Sequence, residues 1–114
     1  MMRHTCRSES ELQNGILTVR LTGEIDHHSA VHMRTALDEE ICQKCPGKIV
    51  LDVSGIEFMD SSGLGFIMGR YSLMQKLGGT LSLKDPNERI EKILELANLK
   101  RLIAIEKSGR EENR

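Results

Sequence analysis

Phe58-Met59-Asp60-Ser61-Ser62-Gly63-Leu64-Gly65 lies between two segments of different periodicity, and reading it as a strand-to-helix junction decides the fold. Before it, Lys48-Ile49-Val50-Leu51-Asp52-Val53 is β-branched and apolar at consecutive positions, as expected of a central strand covered on both faces. After it, Leu64, Ile67, Met68, Tyr71 and Gln75 follow helical spacing until Gly78-Gly79 ends the helix. Ser61 then falls on the first helical turn, where N–H groups lack intrahelical partners and the dipole favours negative charge. Two frames fit the junction. With Asp60 as N-cap, Met59 and Leu64 have the spacing of a hydrophobic staple and the Ser61 hydroxyl points outward. With Ser61 as N-cap, its oxygen is consumed by a backbone hydrogen bond. Both are also ordinary helix capping, so the pattern alone does not assign a function.

Outward from this junction, a polar stretch from Met1 to Leu12 alternates only faintly and predicts at most a weak edge strand, with Asn14-Gly15 as a hairpin turn. Ile16 to Leu21 reads as a second strand closed by Gly23. A loop through Asp26-His27-His28 leads to a helix from about Ser29 to Cys42, with Ala30, Met33, Leu37 and Ile41 as its apolar stripe. Past the second helix, Thr80-Leu81-Ser82-Leu83 alternates as a strand. Asp85-Pro86-Asn87-Glu88 then reads as a helix start with Asp85 as N-cap, Pro86 at N1 and Glu88 at N3. Ile90, Ile93, Leu94 and Ala97 form that helix's buried face, Asn98 terminates it, and Leu102-Ile103-Ala104-Ile105 is the last strand. The order predicts a single α/β domain: a mostly parallel mixed sheet with one antiparallel edge hairpin and helices packed against it. Residues 1–11 form the polar N-terminal segment, 12–106 the domain and 107–114 a charged, disordered tail. In such a sheet the loops leaving the carboxyl ends of the strands share one rim, which brings the Asp26 loop and the Ser61 loop together.

The 114 residues suffice for one modest core. Sixteen basic residues against seventeen acidic leave a net charge of −1, without the basic surplus of a nucleic-acid or anionic-membrane binder. Only 3% of residues are aromatic, which argues against recognition by stacking. No signal-type or membrane-spanning apolar run is present, and a cytoplasmic location is expected. Cys6, Cys42 and Cys45 do not make a secreted disulfide framework. Cys42-Gln43-Lys44-Cys45 has the spacing of a redox motif or half a zinc site, with His4, His27, His28 and His32 as conceivable partners. A second ligand pair is missing and the motif falls at a helix end, so the thiols are read as incidental and no cofactor or metal is expected.

Glycine inside a helix costs about 1 kcal/mol relative to alanine. Gly63, Gly65 and Gly69, with Ser62, Gly65 and Gly69 on one stripe, therefore suggest a surface that the sheet or a partner approaches closely. Two enzyme-like readings are weaker. Ser61 or Ser62 with His27 or His28 could make a hydrolase, but Met59-Asp60-Ser61-Ser62-Gly63 is not a Gly-x-Ser-x-Gly elbow. Gly63-Leu64-Gly65-Phe66-Ile67-Met68-Gly69 places its third glycine one position late for a dinucleotide fingerprint.

Leu21-Thr22-Gly23-Glu24-Ile25-Asp26-His27-His28-Ser29-Ala30, followed by Phe58-Met59-Asp60-Ser61-Ser62-Gly63-Leu64-Gly65 and Gly69-Arg70-Tyr71, resembles the bacterial anti-sigma-factor antagonists of the STAS fold, the sporulation type best of all. The resemblance runs from about Ile16 to Ile105. It implies a phosphorylation-controlled binding protein. In the unphosphorylated form, such a protein binds an anti-sigma factor that is also a serine/threonine kinase and thereby frees the sigma factor. By position, Ser61 is the implied phosphoacceptor, reset by a serine phosphatase, and Asp26, Asp60, Ser62, Gly63 and Leu64 are the implied partner surface. The sequence departs from the family in its hydrophilic first strand and in a polar Lys107-Ser108-Gly109-Arg110 tail where a last helix is expected.

Overall fold

The computed structural model describes residues 6–108; His4 and the end of the charged tail, 109–114, lie outside the described residues. Five strands form one sheet in chain order: β1 (Arg7–Gln13), β2 (Ile16–Ile25), β3 (Lys48–Met59), β4 (Thr80–Lys84) and β5 (Ala104–Glu106). β1 pairs antiparallel with β2 across the Asn14-Gly15 turn, and the remaining pairs are parallel. The crossovers carry α1 (His27–Lys44), α2 (Ser61–Lys76) and α3 (Glu88–Leu96). This is the expected mixed sheet with one antiparallel edge. All seven residues of β1 are exposed, so the edge is hydrophilic as well as antiparallel.

Leu17, Val19 and Leu21 of β2, Ile49, Leu51 and Val53 of β3 and Leu81 and Leu83 of β4 point into one core. That core also receives Ala30, Met33, Leu37 and Ile41 of α1, the expected stripe, and Ile90 and Leu94 of α3. Ile49 to Val53 are all buried, but only Ile49, Leu51 and Val53 join the core, while Val50 and Asp52 lie on the alternate face, where an apolar cover was expected. The alternate face is polar: Arg20 pairs with Asp52 at 3.6 Å, while Lys48 Nζ and Ser82 Oγ donate to the same Glu106 oxygen at 2.7 and 2.8 Å.

Both long strands outrun their sequence signals. Gly23, with φ 105°, does not close β2; the strand shifts register between Arg20 and Thr22 and again between Gly23 and Glu24, and continues to Ile25. β3 likewise passes through Ser54-Gly55 to Met59, because a Cβ at Gly55 would stand 2.6 Å from Thr22 Cγ2 and glycine admits the close strand approach. The buried face of α2 is also rotated from expectation. Gly63, Phe66, Ile67, Arg70 and Met74 are buried, Leu64, Met68 and Tyr71 are half-buried, and Gln75 is exposed.

α3 begins two residues later than its signature indicates. Asn87 is the N-cap, accepting from the Ile90 N–H at 2.8 Å and donating to the Ile56 carbonyl at 3.0 Å. Asp85 is unavailable as a cap because β5 claims it: its N–H donates to the Glu106 carbonyl and its carboxylate accepts from the Ser108 N–H and hydroxyl. Ala97 is exposed, Asn98 adopts the left-handed conformation just beyond the helix, and a 3-10 turn, Leu99–Arg101, delays the last strand to Ala104.

Candidate partner-binding site

Ile25 and Met59, the last residues of two adjacent parallel strands, are directly paired, and the Asp60 N–H donates to the Ile25 carbonyl at 3.3 Å. The next residue of each strand, Asp26 and Asp60, therefore caps a helix on the same rim. Register brings the two loops together, with no hydrogen bond between their side chains among the described residues.

At the first cap, Asp26 Oδ1 accepts from the Ser29 N–H at 2.9 Å and Ser29 Oγ accepts from the Asp26 N–H at 3.1 Å, a reciprocal box that buries Ser29. α1 accordingly starts at His27 and not at Ser29. The Ser29 N–H and hydroxyl hold the Asp26 carboxyl below its ordinary value, with the adjacent His28 adding to the shift. At the second cap, Asp60 Oδ1 accepts from the Ser62 N–H at 2.8 Å, so Asp60 is the N-cap and Ser61 is N1. Ser61 is exposed and its hydroxyl makes no hydrogen bond among the described residues.

The other expected site residues divide by depth. Asp26 and Asp60 are exposed, Ser62 and Leu64 are half-buried, and Gly63 is buried. A Cβ at Gly63 would lie 2.5 Å from Met59 Cβ, so this glycine is required by the chain's own packing. Gly65 and Gly69 have open space where a side chain would stand. Gly65 and Ser62 line a groove of 230 Å³ between the two helices, with His27, Ala30, Val31, Arg34 and Phe66. Val31 is 40% exposed there, an apolar residue with room for a partner's side chain.

Arg70 was legible as a motif residue but not as a buried charge. Its guanidinium stands 5.3 Å over the Phe66 ring, donates through Nη1 to the Phe66 carbonyl and through Nη2 to Asp38 Oδ2 of α1 at 3.4 Å, while Nε and Asp38 Oδ1, 2.8 Å apart, are not aligned as a hydrogen bond. Burial lowers its pKa while Asp38 pulls it back up. The Phe66/Arg70 spacing of four was the available signal; the partner on α1 was not. His28 and His32 meet edge to face at 4.9 Å, and no hydrogen bond links either serine hydroxyl of the α2 start to His27 or His28 among the described residues. Also among the described residues, no group of three or more His, Cys, Asp or Glu side chains could hold a metal, and no helix is long and apolar enough to cross a membrane.

The geometry agrees with what comparison finds. The STAS domain model matches residues 7–111. The anti-sigma F factor antagonist of Paenibacillus polymyxa is 40% identical over 97 residues, 85% of this chain and 83% of that protein. The anti-sigma factor antagonist SpoIIAA in its unphosphorylated form superposes with a TM-score of 0.79 at 25% identity, covering 92% of this chain and 90% of that one. The Bacillus cell fate determinant SpoIIAA in the phosphorylated form superposes with a TM-score of 0.73 at 25% identity, covering 92% and 94%. This chain belongs to the STAS domain family, as a homologue of the bacterial anti-sigma factor antagonists.

Proposed function

We propose that this protein is an anti-sigma factor antagonist whose binding surface is switched by phosphorylation of Ser61. Unphosphorylated, it binds an anti-sigma factor serine/threonine kinase in the cytoplasm and releases a sigma factor, of the sporulation class by resemblance. The kinase phosphorylates Ser61 and ends the interaction; a serine phosphatase restores it. Asp26, Asp60, Ser62, Leu64 and the backbone at Gly63 form the contact surface. The observation that carries this reading is the Ser61 hydroxyl: exposed, unbonded among the described residues and on the first turn of α2, with Asp60 doing the capping.

The electrostatics support a switch at that position. A phosphoryl group adds a charge of about −1.5 to −2 beside Asp60 and on the rim that also carries Asp26. A partner shaped to the bare hydroxyl meets both bulk and like charge. The positive end of the α2 dipole tolerates the anion, so the fold is retained while the surface changes. That SpoIIAA has a phosphorylated form with a closely similar fold is consistent with this division.

The test is capture from native cytoplasm with Ser61→Ala and Ser61→Asp forms, alongside labelling by the captured kinase and ATP. The alanine form retains the kinase and the aspartate form loses it; label goes to Ser61. Equal capture by both forms would instead establish a constitutive STAS scaffold, and ester hydrolysis lost in Ser61→Ala would establish a hydrolase. Equal melting temperatures and amide exchange in the two phosphorylation states are expected; a melted α2 in the phosphoform contradicts the surface mechanism.

A further inference from the structure

Cys42 and Cys45 occupy the last turn of α1, at the end of the helix remote from Asp26. Both thiols are free and exposed, whereas Cys6 is half-buried and burial pushes its thiol up to about 11. Cys45 has φ 49° and ψ 52°, the left-handed conformation that a helix end ordinarily assigns to glycine or asparagine. The other non-glycine residues with positive φ among the described residues are Asn14, Asp85 and Asn98, types whose short polar side chains tolerate it. A cysteine there is an uncommon choice, because its thiol is a weaker polar group than the amide or carboxylate of those residues. The conformation folds its side chain back over the helix: Cys45 Sγ lies 3.4 Å from the Cys42 carbonyl oxygen, and the Cys45 N–H donates to the Ile41 carbonyl at 2.8 Å. Because Gln43 and Lys44 are helical, the two Cα atoms are about 5 Å apart, inside the range of about 4.4–6.8 Å that a disulfide spans.

We propose that Cys42 and Cys45 form a reversible dithiol–disulfide site served by a low-molecular-weight disulfide such as glutathione disulfide. One protein thiolate attacks a sulfur of the oxidised glutathione and expels one glutathione thiolate. The second protein thiol then displaces the other glutathione and closes the Cys42–Cys45 bond. The protein gives up two electrons and two protons, and the oxidant leaves as two reduced glutathiones. The crosslink closes over Gln43 and Lys44 and locks the left-handed cap. From that cap the chain runs through Pro46 to Gly47, whose N–H donates to the Gly15 carbonyl and whose carbonyl accepts from the Thr80 N–H, so the bond stiffens the pole of the sheet opposite Ser61.

The test uses the full chain in a Cys6→Ser background, equilibrated with glutathione at graded oxidised-to-reduced ratios, quenched by alkylation and mapped by mass spectrometry. The expected product is an intrachain Cys42–Cys45 crosslink, with both thiols lost together and no glutathione retained. It forms at an oxidised fraction at least about tenfold lower than that which glutathionylates either Cys42→Ser or Cys45→Ser. Oxidation raises the melting temperature of the two-cysteine protein and not that of the single-cysteine variants. Mixed glutathione adducts at both cysteines, or crosslinks only between chains, would overturn the proposal. Neither result bears on Ser61, because partner capture is not the readout.

Discussion

α1 and α2 begin alike, with an aspartate cap following the end of a strand whose neighbour ends in register with it, yet their serines have opposite fates. In Asp26-His27-His28-Ser29 the serine is third after the cap, and its N–H and hydroxyl are consumed by Asp26, leaving it buried. In Asp60-Ser61-Ser62 the backbone of the second serine satisfies the cap and the first faces solvent. The distance of a serine from its cap separates a structural hydroxyl from an accessible one: N3 can reach back to the cap and N1 cannot.

That contrast can be tested most severely by phosphorylation. The kinase labels Ser61 and leaves Ser29 unlabelled, and phosphorylated protein binds the kinase at least about 100-fold more weakly, roughly 2.7 kcal/mol, by titration calorimetry. Label on Ser29 would remove the distinction. Comparable in size is the effect of the clamp between the two helices. Asp38→Leu leaves the buried Arg70 guanidinium without its counter-charge and costs about 3 kcal/mol in urea unfolding, most of it recovered when Arg70→Met is added. The glycines of the α2 start sharpen the comparison further. Gly63→Ala forces a Cβ against Met59 and costs about 2 kcal/mol, while Gly65→Ala, in open space, gains about 1 kcal/mol yet weakens partner binding.

Capping itself sets the fourth step. Ser29→Ala costs about 1 kcal/mol and Ser61→Ala less than about 0.5 kcal/mol, measured by chemical denaturation. The smallest effect is in titration. Asp26 is held below its ordinary 3.8, so its contribution is present above that value and lost as pH falls through the depressed one. Ser29→Ala returns the Asp26 carboxyl toward 3.8 in an NMR titration and flattens this acid limb, whereas Ser61→Ala leaves Asp26 where it was.

Local signals carried much of this fold because they rest on chemistry within a few residues. The α1 stripe and the Asn14-Gly15 turn belong to that class, whereas the α2 junction left Asp60 and Ser61 as alternative caps until the structure gave the role to Asp60. The failures arose where a distant partner overrode a local preference. Asp85-Pro86-Asn87-Glu88 has the pattern of a cap at Asp85, but Ser108, 23 residues away, occupies that carboxylate and the role passes to Asn87. Gly23 looks like a strand end, but its pairing with Ile56 of β3 carries the strand across it. The α2 face was misread because Arg70, a charged residue, is buried there against Phe66 and against Asp38, which lies on another helix.

From the order of residues alone came the alternating α/β architecture, the shared rim and an aspartate followed by serines at a helix start, since apolar periodicity and capping chemistry are local properties of the chain. Folding decided which serine is free, which glycine is packed and which arginine is buried. Those outcomes depend on register between β2 and β3 and on contact between α1 and α2, relations among residues far apart in the chain that no local pattern encodes.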